Sequence, residues 1–368
     1  MATVGHIICR GTVGTTGVPD DWEVSVSESE RQMGVGVIGC GYWGPNWVRN
    51  FSQLTGSTVV GVADKDPGRL QHMGQLYPTI RLWDDHRALL ADPAIDAVVI
   101  ALPVGLHHPV AMDALRAGKH VLVEKPMAAS AAQCREMIAE AEARSLTLMV
   151  GHTFEYTAAV RKIKQLIGEG LLGDLYYVNS QRLNLGLFQR DVNVIWDLAP
   201  HDISILLHLR DGELPRGVQA MGKAHINPRI EDVATLSLDF ADGLIAFLQC
   251  SWLDPKKVRQ ITFVGSRRML VYDDIEPTEK IWIYDRGVET PPHYDTFDEF
   301  SYAYRYGDIT IPRIGGSEPL RVEAEHFLAS IADGTKPLSD GASGLRVVQV
   351  LEAASESLRS GGARIALS

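Results

Sequence analysis

Past Met33 the chain alternates short apolar runs with longer stretches of helical character. The runs Val35–Ile38, Val59–Ala63, Ala97–Ala101, His120–Val123 and Thr147–Val150 are short and almost uniformly apolar. They read as strands buried on both faces. Pro109–Ala117 and Ser130–Arg144 between them suit helices. That rhythm predicts parallel β-α-β units, a doubly wound sheet with helices on both sides. Beyond residue 152 the texture changes. One helical segment, Ala158–Glu169, precedes long alternating runs at Tyr176–Arg182, Val218–Ile226, Val233–Phe240, Leu244–Trp252, Arg259–Val264, Met269–Tyr272 and Lys280–Tyr284. Asp242-Gly243, between two of them, is a hairpin signal, because both residues tolerate positive φ. The expectation is an open antiparallel sheet, closed by helices over Arg321–Asp333 and Gly344–Ser360. Residues 1–32 carry no period and read as a flexible extension ahead of Met33. The expected domains are thus 33–152 and 153–368.

The sharpest local signal is Gly39-Cys40-Gly41-Tyr42-Trp43-Gly44, a G-x-G-x-x-G directly after a strand. The first glycine permits the tight turn, the second lets backbone N–H groups approach a pyrophosphate, and the third allows close helix–strand packing. Asp64 ends the second strand about 20 residues after Gly44, where an acid accepts from the adenine ribose hydroxyls. The first domain is therefore expected to be a Rossmann domain for a dinucleotide. A carboxylate at Asp64 repels a 2′-phosphate and favours NAD, while nearby Lys65 and Arg69 leave NADP open. Glu124-Lys125-Pro126 closes a strand of the same domain. Ligands of such sheets lie beyond the carboxyl ends of strands, so the Lys125 ammonium can meet a reacting oxygen there and stabilise alkoxide charge. By itself the tripeptide reads better as a surface lysine at a strand end.

Composition narrows the class. Of 368 residues, 45% are hydrophobic and 22% charged, which excludes a disordered or disulfide-scaffold chain. Lys+Arg 35 against Asp+Glu 46 gives a net charge of −11, arguing against nucleic acid or an anionic membrane as partner. No apolar run approaches a membrane span. Cys9, Cys40, Cys134 and Cys250 are scattered, which fits a reducing cytoplasm, and the histidines show no metal-ligand spacing.

Gly39–Gly44, Asp64, the run Ala117–Pro126 and the following antiparallel domain together resemble the glucose–fructose oxidoreductase / inositol dehydrogenase (Gfo/Idh/MocA) family. Leu102-Pro103 with His107, Val150-Gly151-His152 and Pro337–Gly341 agree with that resemblance, which covers about residues 33–368. It implies a cofactor site at Gly39, Gly41, Tyr42, Trp43, Gly44, Asp64, Lys65, Leu102, Pro103, His107, Glu124 and Lys125. It also implies a catalytic Asp and His four residues apart, here Asp197 and His201 in Trp196-Asp197-Leu198-Ala199-Pro200-His201-Asp202. The spacing puts both on one helix face. Pro200 is read as first-turn, and His201 as held neutral by the helix N-terminus. Without the resemblance, a capping Asp and a packed His explain the segment as well. His152, Tyr156, Arg182, Asn184 and Asp191 join Asp197 and His201 as expected substrate contacts.

The expected reaction is reversible hydride transfer between nicotinamide and a secondary alcohol. His201 acts as base, Lys125 stabilises the alkoxide, and Asp197 orients the substrate or His201. The resemblance favours a sugar or nucleotide-linked sugar, at C3. Rival readings are a cyclitol dehydrogenase, an NAD-dependent eliminating glycosidase and a non-catalytic sensor. The expected sheet face, apolar through Ile245 and Phe247, implies a homodimer or homotetramer.

Overall fold

The computed structural model describes residues 32–289 and 302–367. The extension expected over 1–32 lies outside the described residues, apart from Gln32.

The first sheet is built from β1 (Met33–Ile38), β2 (Ser57–Ala63), β3 (Arg81–Trp83), β4 (Ala97–Ile100), β5 (His120–Glu124) and β6 (Leu148–Gly151). The order is β3-β2-β1-β4-β5-β6, all parallel. Such a sheet is buried on both faces, which explains the unbroken runs: Val35, Val37, Val98, Val99, Val121 and Leu122 are fully buried. The order reverses between β1 and β4, opening a crevice at the carboxyl ends of these strands. Helices α1 (Gly44–Ser52), α2 (Pro67–Leu76), α3 (His86–Leu90), α4 (Val104–Arg116) and α5 (Ala131–Ala143) make the crossovers. β3 and α3 left no readable period because they are short and carry exposed polar residues.

Two proline positions differ from expectation. Helix α4 starts at Val104 and contains Pro109, rather than beginning there. The missing N–H costs a helical bond, but Val110, Ala111, Ala114 and Leu115 are buried against the sheet and hold the helix through it. Likewise Pro200 lies inside α7 (Val194–Leu209), not in its first turn.

After a single 3₁₀ turn at Thr153–Tyr156 and α6 (Ala158–Gly168), the chain forms the second sheet. Its strands are β7 (Leu175–Leu185), β8 (Gly217–Lys223), β9 (Val233–Asp239), β10 (Ile245–Ser251), β11 (Leu253–Gly265), β12 (Met269–Asp273), β13 (Ile281–Glu289), β14 (Ala303–Thr310) and β15 (Ile365–Ala366). The order is β14-β13-β12-β11-β7-β10-β9-β8-β15. The sheet is mixed and mostly antiparallel: β10 lies parallel to β7, correcting the all-antiparallel expectation. α7 intervenes between those strands in sequence, so the chain re-enters the sheet in the same direction. The β9–β10 hairpin turns as expected, with Gly243 at φ 92°.

One face of this sheet packs on α7 and α9 (Gly341–Arg359) through Leu236, Leu238, Ala246, Leu248 and Cys250. The alternate residues Ile245 and Phe247 are exposed. The closing helices also return to the first sheet. Phe327 of α8 (Pro319–Asp333) meets Phe51, and Gly344 of α9 is so close that a Cβ would lie 2.7 Å from Val150. Among the described residues no helix is long and apolar enough to cross a membrane. Cys40, Cys134 and Cys250 are free and buried, and burial pushes the first two thiols up to about 12.

Candidate active site

The crevice begins at the turn after β1. Gly39 sits at φ 99°, and a Cβ on it would lie 2.3 Å from the Ala101 carbonyl oxygen. A Cβ on Gly44 would lie 1.9 Å from the Gly39 oxygen, so the start of α1 presses against the turn. Gly41 differs: a Cβ there would meet only Arg69 Nη1, at 3.9 Å, and otherwise open space. Trp43, the residue before α1, makes no side-chain capping bond, whereas Asp66, Ser130 and Asn193 cap α2, α5 and α7. The positive end of α1 thus faces open space in front of Gly41. These residues fit a dinucleotide pyrophosphate. Tyr42 and Trp43 are exposed beside it and touch edge to face.

Asp64 follows β2. It accepts the Cys40 N–H at 2.6 Å on one oxygen and the Asp66 N–H at 2.8 Å on the other. Two lone pairs per oxygen leave capacity for ribose hydroxyls. Arg69 Nη1 stands 3.6 Å from the same carboxylate, and Lys65 is exposed.

Lys125 follows β5 directly and reaches across to α7. Its Nζ donates to the Asp197 carbonyl at 3.0 Å and lies 3.9 Å from Asp197 Oδ1. Asp197 Oδ2 accepts the Trp252 indole N–H at 2.9 Å. Pro200 leaves the neighbouring Trp196 carbonyl without its helical donor, loosening the backbone where the lysine docks. Burial lowers the Lys125 pKa, against the pull of Asp197 and Glu124. Glu124 is itself buried, accepts the Trp47 indole N–H at 2.8 Å, and is raised by burial.

His201 lies one turn beyond Asp197. It sits mid-helix, so the helix terminus does not set its charge state. Burial does so first, followed by the positive charges of Lys125, Arg182 and Arg259, and together they hold it well below the usual imidazole range. A neutral imidazole results, as a general base requires. His201 Nδ1 is buried without a hydrogen-bond partner among the described residues. The Phe154 ring meets it edge to face at 5.0 Å. His152 follows β6, one position beyond the Glu124–Gly151 pair, and therefore stands beside Lys125. Both its ring nitrogens are buried and unpartnered among the described residues, and burial with Lys125 pushes it down to about 3.

Lys125, Asp197, His201 and His152 thus come together. Others expected there are placed differently. His107 is buried, with Nδ1 2.8 Å from the Pro126 carbonyl and Nε2 2.7 Å from that of Leu102. It ties the loops after β4 and β5 together and has no ring nitrogen left for a ligand. Leu102 and Pro103 form the entrance to α4 beside it. Tyr156 is buried away from the lysine, its hydroxyl 2.9 Å from Ser339 Oγ. Arg182 is buried in a bidentate pair with Asp202, at 3.0 and 2.6 Å, and lies over the Phe154 ring. It serves as a fixed charge behind His201 rather than a free substrate ligand. Asn184 is the last residue but one of β7, beside Gly186 and Trp252, while Asp191 is exposed in the loop before α7. Trp252, at the end of an alternating run, holds Asp197. Arg259, paired across the sheet with Arg182, and Asp202 carried no sequence signal beyond their place in alternating or motif segments.

Residues 33–152 match the family model described as the oxidoreductase family, NAD-binding Rossmann fold, and residues 160–271 match the GFO/IDH/MocA C-terminal domain. UDP-N-acetylglucosamine 3-dehydrogenase of Acidithiobacillus ferrooxidans is 29% identical over 86% of this chain and 94% of its own length. Inositol 2-dehydrogenase of Gluconacetobacter diazotrophicus is 31% identical, over 49% of this chain and 55% of its own. A solved structure of the Acidithiobacillus enzyme superposes with TM-score 0.74 at 27% identity, covering 90% of this chain and 99% of that one.

Proposed function

This chain belongs to the Gfo/Idh/MocA oxidoreductase family and is an NAD(P)-dependent dehydrogenase acting on CH–OH groups, and within that class we propose that it oxidises or reduces a nucleotide-linked sugar at C3. The observation that carries this reading is Lys125 of the parallel sheet docked on the helix that bears Asp197 and His201. NAD⁺, which the Gly39–Gly44 turn and Asp64 would hold, would supply the hydride acceptor for the carbinol carbon. His201, held neutral, takes the hydroxyl proton. The Lys125 ammonium, in a low-dielectric pocket, stabilises the emerging alkoxide. Asp197, fixed by Trp252, keeps lysine and helix in register. In reduction His201 returns the proton to the ketone oxygen.

The choice of a nucleotide sugar over a cyclitol rests on charge and on extent of similarity. β11 carries a four-residue insert, Asp254–Lys257, opposite Asn184, where its pairing with β7 shifts between Leu253 and Val258. Lys256 and Lys257 are exposed on it, and Arg190 is exposed in the loop before α7. The Lys256–Lys257 pair suits a diphosphate, and a neutral cyclitol has no use for it. The nucleotide-sugar relative also matches along nearly the whole chain, the inositol enzyme along about half. The test is a panel of UDP-sugars, free sugars and inositols assayed with NAD⁺ and NADP⁺ by reduced-nicotinamide absorbance. Turnover with inositol and none with UDP-sugars would overturn the choice. We further propose that the exposed face around Ile245 and Phe247 pairs with a second copy, which a monomeric mass in solution would refute.

A further inference from the structure

The proton that leaves the substrate must reach water, and once substrate covers the open side of the partly exposed His201 only its buried Nδ1 remains to pass it on. Residues 201, 204 and 208 lie on one face of α7. Along that face, away from the crevice, runs a polar cavity of about 180 Å³, lined in part by Ser204, His208, Asp211, Glu155 and Arg346. Ser204 Oγ donates to the His201 backbone carbonyl at 2.8 Å, so the cavity wall begins one helical turn from the base. The 3₁₀ turn Thr153–Tyr156 spans the same interval from the other side. Its first neighbour, His152, lies beside Lys125; Phe154 touches His201; and Glu155 lines the cavity. The Glu155 N–H donates to the His152 carbonyl at 2.9 Å, closing the turn.

Glu155 is a buried acid whose side chain makes no hydrogen bond among the described residues. Its side chain is 4% exposed, and its nearest ion-pair contact is His208 Nδ1 at 3.7 Å, beyond hydrogen-bond reach. Burial raises it well above the usual carboxylate range. The charged and titratable groups packed around it are Lys164 from α6, His208 and Asp211 from α7 and its exit, Glu323 from α8, Arg346 from α9 and Asp340, which caps α9. Lys164 is already engaged by Asp211 and the His208 carbonyl, each at 2.9 Å. At the inner end, His201 Nδ1 and both His152 nitrogens are buried without partners among the described residues. Unpartnered buried groups at one end and an acid facing a polar cavity at the other are the parts of a proton path.

We propose that Glu155 relays the proton between His201 and water in the α7 cavity. The inference rests on the oxidoreductase reading above. In oxidation the substrate C–H bond breaks with its electron pair going to the bound nicotinamide. The O–H bond breaks with its proton going to His201. A neutral imidazole takes a proton at one ring nitrogen and gives one up at the other, and Glu155 passes that proton outward to cavity water. In reduction the same groups carry a proton inward. Glu155 touches neither substrate nor cofactor and acts only through His201.

The test compares wild type, Glu155→Gln and Glu155→Asp in a single turnover with NAD⁺ and whichever alcohol of the panel the wild type oxidises. Nicotinamide reduction is followed by absorbance and proton release by a pH-indicator dye. In wild type the two coincide. In E155Q, proton release in dilute buffer should lag reduction by about tenfold or more, the lag vanishing in concentrated imidazole buffer and shortening in E155D. Coincident traces in E155Q overturn the relay and leave the enzyme assignment intact. No reduction by wild type with any alcohol overturns the assignment and the relay with it. Infrared titration of the protein alone gives a second readout: wild type should show a protonated-carboxyl band that titrates above the usual carboxylate range and is missing in E155Q. A spectrum unchanged by the substitution overturns the relay.

Discussion

Gly41→Ala separates binding from folding within a single loop. A Cβ at Gly41 would touch only the far end of Arg69, at 3.9 Å, and the backbone there is not in the left-handed region. Alanine costs the folded protein nothing at such a position and narrows the unfolded ensemble, a gain of about 0.4–1 kcal/mol. For a chain of this length that raises Tm by about 1 °C. The same methyl group stands in the space a pyrophosphate must enter to reach the loop N–H groups. Losing that approach should weaken NAD⁺ binding by at least about tenfold, or 1.4 kcal/mol. Gly44→Ala is the contrast. Its Cβ would lie 1.9 Å from the Gly39 carbonyl oxygen, a backbone atom with no room to yield. Overpacking of that kind costs about 1–3 kcal/mol, so Tm should fall even without cofactor. Thermal unfolding of the apoprotein and NAD⁺ titration by quenching of tryptophan emission measure both effects, Trp43 lying in the loop itself. If Gly41→Ala bound NAD⁺ within about twofold of the parent, a difference under 0.5 kcal/mol, the pyrophosphate would not sit where this geometry puts it.

Three further outcomes are expected. Lys125→Met should lower turnover by about 10²–10⁴ while the NAD⁺ dissociation constant stays near its original value; near-normal turnover would remove Lys125 from the chemistry. Asp64→Ser, with Arg69 3.6 Å from the lost carboxylate, should shift the NADP⁺/NAD⁺ ratio of kcat/KM upward by about tenfold or more, and an unchanged ratio would show that Asp64 does not read the ribose. His152 is neutral in the fold down to about pH 3, whereas an unfolded imidazole protonates near 6.5. The unfolded chain then binds the extra proton, so stability is lost as pH falls from 6.5 toward 3, by up to about 1.4 kcal/mol per pH unit from this one group. Urea unfolding across that range should give a flatter pH dependence for His152→Phe, and parallel curves would contradict the burial argument.

The sequence by itself determined the Rossmann half, because local rules suffice there. A parallel sheet buried on both faces writes continuous apolar runs, and a phosphate loop must place glycines where no Cβ fits. Gly39, Gly44 and Asp64 were legible for that reason, and so was Lys125 at a strand end. Charge states and partnerships were decided only in three dimensions. His201 was expected to be neutral through a helix terminus, but it is mid-helix and owes its neutrality to burial among Lys125, Arg182 and Arg259. Arg182 was expected to face substrate and is instead locked to Asp202, 20 residues away. Trp252 became the anchor of Asp197 from 55 residues away, and α8 and α9 crossed back to the first sheet. A periodic pattern tells which face of an element is buried. It does not tell what lies opposite, and a buried polar group takes its protonation and its role from what lies opposite.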